Sequence, residues 1–155
     1  PTTPATGAAI SATTSVPLGQ VSTYFMRDND PDPIPTASEV QVVKDKIDEI
    51  LPANTSVDDN LVSAPAAVAV AYTFTALAPN TLSMRSAVEA NLQQFHDEQV
   101  SVGVDVDDDA YRAAIKNTVD PDTGEIVQTF TLSAPTGDIA INAGEIATKG
   151  TVTFL

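Results

Sequence analysis

Three prolines at alternate positions, Pro31, Pro33 and Pro35, constrain this chain more than any other feature. Each fixes φ and removes a backbone donor, so neither a helix nor a central strand runs through them. The chain before them, Gln20 to Arg27, is rich in β-branched and aromatic residues and reads as a strand. The chain after them opens with Thr36-Ala37-Ser38-Glu39, a capping box in which Thr36 and Glu39 satisfy each other's backbone donors. Val40, Val43, Ile47 and Ile50 then recur at helical spacing until Pro52. Strand, stiff acidic turn and capped helix follow in that order.

The remainder reads as further short elements. Residues 1–18 carry no charge and are expected to form an extended arm or edge strand, with Ala8 to Val16 the β-permissive part. A strand is expected between Ser56 and Ala64. The next alternates, with Val68, Val70, Tyr72 and Phe74 on a core face and Ala67, Ala69, Ala71, Thr73 and Thr75 on a small one. After Asn80 a second helix carries the stripe Met84, Val88, Leu92, Phe95, and a third runs from about Asp107 to Thr118 with Tyr111, Ala114 and Ile115 inward. Strands at Ile126 to Leu132, Ile139 to Ile141 and Ile146 to Phe154 complete the order. The expected class is α+β: two small β-α-β-like units packed side by side, with mixed sheets and three helices. The units are placed at residues 19–65 and 66–155, after the arm at 1–18. Ser-Ala-Pro closes a strand in each, at 63–65 and 133–135, a hint of duplication.

At 155 residues the chain has room for one domain or two small subdomains. Its apolar residues are mostly Ala and Val, so the core is built from small aliphatics. With no cysteine, disulfides and thiol chemistry are excluded. No apolar run reaches the roughly 18 residues that a membrane helix needs. A start at Pro1 with no signal-like segment is expected of a fragment or a processed product. The net charge of −14 and the scattering of the seven basic residues argue against nucleic acid or an anionic membrane as partner.

Few constellations carry chemistry. His96, the single histidine, is expected near the C-terminal end of the second helix, interacting with its dipole. Asp28, Asp30, Asp32, Ile34, Thr36 and Glu39 fall at the successive ligand positions of a calcium-loop template. Against that reading, Pro33 stands where the template needs Gly, and the capping box claims Glu39. Asp105, Asp107, Asp108 and Asp109 read as a helix N-terminus. No catalytic, cofactor-binding or metal residue is assigned, and no cofactor or small-molecule substrate is expected.

A set of ordered segments does carry a likeness. These are Gly19 to Asp28 with Asp32 to Pro35, the helix Val40 to Leu51 before Pro52, and Ser63-Ala64-Pro65 with its alternating strand. They continue with Leu77 to Thr81 leading into Met84 to Ala90, Ser133 to Ile139, Ala143 to Ile146 and Gly150 to Phe154. In order and spacing they resemble the baseplate J-like family of contractile phage tails, in particular phage Mu-like baseplate proteins, over their C-terminal region. The resemblance implies a non-enzymatic structural protein of a virion, made in the bacterial host cytoplasm. It implies assembly in several copies, with itself and with other baseplate wedge proteins, in a tail or related contractile injection system. The acidic segment Asp97 to Asp109 departs from that pattern. Tyr24, Phe25 and the small face at Ala69, Ala71 and Thr73 are the candidate contact residues. The alternative is a calcium-assisted, adhesin-like binding domain using residues 28–39, and a hydrolase using two converging carboxylates ranks third.

Overall fold

Thr36 opens the first helix as the capping box requires. Its side chain accepts from the Glu39 amide at 3.4 Å, and Glu39 Oε2 accepts from the Thr36 amide at 2.7 Å. The structure is a computed structural model that describes residues 19–27, 30, 32–52 and 55–155. The expected arm at 1–18, and Asp28 of the acidic turn, lie outside the described residues.

The elements are β1 (Val21–Tyr24), α1 (Ala37–Asp48), β2 (Asn60–Ser63), β3 (Ala66–Ala78), α2 (Leu82–Glu98), α3 (Asp108–Lys116), β4 (Thr129–Ala134) and β5 (Glu145–Phe154). A single 3-10 turn, Val57–Asp59, precedes β2. β1 and β2 pair in parallel with α1 as their crossover, a β-α-β unit. The second sheet has the order β4-β3-β5, antiparallel on one side of β3 and parallel on the other. Three helices with two sheets, one of them of mixed orientation, make the fold α+β.

The core lies between the second sheet and its two helices. Met84, Val88, Leu92 and Phe95 of α2 are at most 3% exposed, and Tyr111 and Ile115 of α3 are wholly buried. They meet Val70, Tyr72 and Phe74 of β3, as the alternation predicts. Beyond Phe74 the parity changes. The β3–β4 register shifts around Phe74, so Leu77 turns inward while Ala76 is exposed. Gly150 marks a second irregularity, opposite the register shift between Val70 and Tyr72. A Cβ there would lie 2.8 Å from the Val70 carbonyl oxygen, so only glycine lets β5 run this close to β3.

Several expected bounds move. β1 stops at Tyr24 because the Arg27 amide donates to the Pro33 carbonyl at 2.8 Å and turns the chain. α1 ends at Asp48, leaving Ile50 80% exposed instead of on the apolar stripe. None of its residues is fully buried, since a two-stranded sheet is too narrow to cover its face. The strand expected at Ile126 to Leu132 forms at β4, two to three residues later. The strand expected at Ile139 to Ile141 is corrected to one isolated bridge, Val106 with Ile139. There the Asp105 carboxylate takes the Ile141 amide at 2.8 Å in place of a strand partner.

The two sheets meet through the chain after β2 and the turn before β5. Ala66 donates to the Gly144 carbonyl at 2.9 Å, directly before Ala66 pairs with Glu145. Gly144 has a φ of +82°, and a Cβ on it would lie 2.8 Å from the Tyr24 hydroxyl.

Candidate functional site

One face of the second sheet is covered by α2 and α3, and among the described residues no helix covers the opposite face. Exposed on it are Ala69, Ala71 and Thr75 of β3, Thr129, Thr131 and Ser133 of β4, and Thr151 and Thr153 of β5. Alternation puts them there: on all three strands the intervening residues, such as Tyr72, Leu132 and Val152, belong to or pack on the core. The surface is uncharged in a chain of net charge −14. Of the expected contact residues, Ala69 and Ala71 are exposed and Thr73 is half-buried between Ala134 and Thr153. Phe25 is half-buried. Tyr24 is 40% exposed and lies against the Gly144 backbone.

The acidic turn after β1 encloses a cation of its own. The Arg27 guanidinium donates to Glu39 Oε1 at 3.0 Å and to the carbonyl oxygens of Asp32 and Ile34, and it pairs with Asp30 Oδ2 at 3.3 Å. Four of the calcium-template residues thus give oxygens to an arginine. Thr36 serves the helix cap, while Asp30 and Asp32 Oδ1 each accept a backbone amide two residues on. The Thr36 amide, the Thr36 hydroxyl and then the Arg27 charge hold the Glu39 carboxyl below its usual range. Sequence reasoning treated Arg27 as a scattered base. Its place directly before the acidic run was the available signal.

The second acidic cluster divides among separate tasks. Asp107 caps α3 by accepting from the Asp109 amide at 2.8 Å, and Asp108 accepts from Arg112 Nε at 2.6 Å. Asp105 binds the Ile141 amide, as above. Among the described residues no three His, Asp or Glu side chains converge as a metal site would require. No described helix is long and apolar enough to cross a membrane.

His96 stands at the C-terminal end of α2, where the sequence places it, but it is buried there. It is only 3% exposed, and both ring nitrogens are engaged. Nδ1 lies 3.2 Å from the Ala147 carbonyl oxygen and Nε2 lies 2.9 Å from the Tyr72 hydroxyl. The reason is positional: His96 follows Phe95 on the stripe and extends the buried face toward β5. Burial lowers the imidazole's pKa. Tyr72 packs edge-on to Tyr111, and burial pushes the Tyr111 phenol up to about 12.

Asp120 is the buried polar residue that sequence reasoning missed. Wholly buried, it accepts from the Thr81 and Ser83 hydroxyls at 2.9 and 2.8 Å and from the Asp122 amide at 2.9 Å. Chiefly the Asp122 amide, then Ser83, holds its carboxyl below the usual range. It ties the start of α2 to the turn before β4. The run Asp120-Pro121-Asp122-Thr123-Gly124 carried the signal, because Asp opens such turns by binding the amide two residues on. Compared with known proteins, the chain matches no family model and no curated protein.

Proposed function

We propose that this chain is a structural module of a contractile phage tail baseplate, working by protein–protein contact and without catalysis. On this reading it resides in the virion after synthesis in the bacterial cytoplasm, and it docks onto other wedge proteins and further copies of itself. The ordered segments from Gly19 to Phe154 that resemble the baseplate J-like family carry the reading. The face of the β4-β3-β5 sheet opposite α2 and α3 adds support. The residues exposed on it are small and uncharged, and it lies on a domain whose acids would repel other copies elsewhere.

The test is affinity capture of the tagged chain from cells assembling the parent particle, with bound proteins identified by mass spectrometry. Recovery of baseplate or tail proteins is expected, and Ala69→Lys or Thr131→Glu is expected to abolish it without changing the melting temperature. A folded chain that recovers no tail protein would overturn the assignment.

A further inference from the structure

A cleft of about 310 Å³ runs between the turn after β1 and the second sheet, lined by Met26, Ile34, Gln93, His96 and Lys149 among others. We propose that His96 is an acid-operated latch on this cleft, whose protonation in mildly acidic solution releases the C-terminal part of α2 from β5.

The chain holds one histidine and no cysteine, so His96 is its only side chain whose ordinary pKa lies between about 5 and 8. In the upper part of that interval, above the carboxylate range, proton uptake by the side chains therefore falls chiefly on a single residue. Its tautomer follows from its partners. The Ala147 carbonyl can only accept, so Nδ1 carries the hydrogen and Nε2 is bare, accepting from the Tyr72 hydroxyl. Those two bonds join three elements: Tyr72 on β3, His96 on α2 and Ala147 on β5.

A proton can enter only at Nε2. The Tyr72 hydroxyl must then turn its hydrogen away, and Tyr72 is wholly buried with no second hydrogen-bond partner among the described residues. The ring meanwhile becomes a cation among neutral partners in the interior. The charges around it are divided. Asp97 of α2 favours the imidazolium, Lys149 of β5 opposes it, and Asp32 lines the cleft from the turn after β1. Tyr111 of α3 touches Tyr72 edge-on and is neutral. Burial outweighs Asp97, so the closed state resists a proton that the opened state accepts at about pH 6.5. The sign follows. The latch is fully closed above that pH and weakens as pH falls toward the lower value of the closed state. His96 lines the cleft, so water reaches the cation when α2 and β5 part there.

The experiment is an NMR titration of the single imidazole in the whole chain from about pH 8 to 4.5, with amide hydrogen exchange on the same samples. A midpoint below about 6.5 is expected. The protection factors of Ile146 to Thr148 should fall by up to about tenfold per pH unit below that value. Thermal stability should drop between pH 7 and 5 in the wild type and stay level in His96→Gln. A midpoint at or above the ordinary value would overturn the latch, as would protection of β5 unchanged through the titration or an equal slope in His96→Gln. The wild-type titration and exchange decide the matter whether or not the variant folds.

Discussion

Asp120 and Gly150 show how much of this fold rests on single residues. Because hydrogen bonds depress the Asp120 carboxyl in the folded state, its stabilisation is complete above about pH 4 and is lost as pH falls through its lower folded value. Asp120→Asn is therefore expected to melt below the wild type at pH 7, and the gap should close in strong acid. Asp122→Ala should change little. Scanning calorimetry of the three proteins across pH measures both effects. At Gly150 the obstacle is backbone, not a movable side chain, so Gly150→Ala is expected to cost about 1–3 kcal/mol in denaturant unfolding. At Gly137 an added methyl meets nothing within 4 Å, and the same substitution there should be close to neutral.

At the scale of elements, the helices differ in what holds them. The stripe of α2 is closed into the core, so Leu92→Ala is expected to cost about 2–5 kcal/mol. Val43→Ala in half-buried α1 should cost clearly less, and comparing their unfolding midpoints tests this ranking. Much of this level was legible in sequence. The Thr36 cap, the α2 stripe and the core face of β3 up to Phe74 are written in neighbouring residues, where local spacing decides the outcome. Leu77 was not legible, because its inward turn depends on a bulge against a strand more than fifty residues away. The same holds for the site. The burial of His96 was not legible because Tyr72 and Ala147 are distant in the chain, and the oxygens around Arg27 matched a calcium-loop template because ligand spacing does not reveal which cation sits among them.

For the molecule as a whole, Arg27 bears on the choice between the two functional readings. With a guanidinium already bound to the oxygens of residues 30–39, neither calcium nor a chelator is expected to move the melting temperature of the wild type. Differential scanning fluorimetry with each additive checks this, and an upward shift with calcium would favour the adhesin-like alternative.

The pairing of β3 also sets an order in time. Its two neighbours in the sheet, β4 and β5, both follow it in sequence, and the parallel partner comes last. On the ribosome the apolar strand Ala66–Ala78 emerges well before either of them, and the two helices between supply only one side of its cover. Non-local pairing of this kind slows folding and leaves a strand edge open to other nascent chains. Yield of folded protein should therefore depend on how quickly residues 129–154 are translated, and a pause before β4 should favour aggregation.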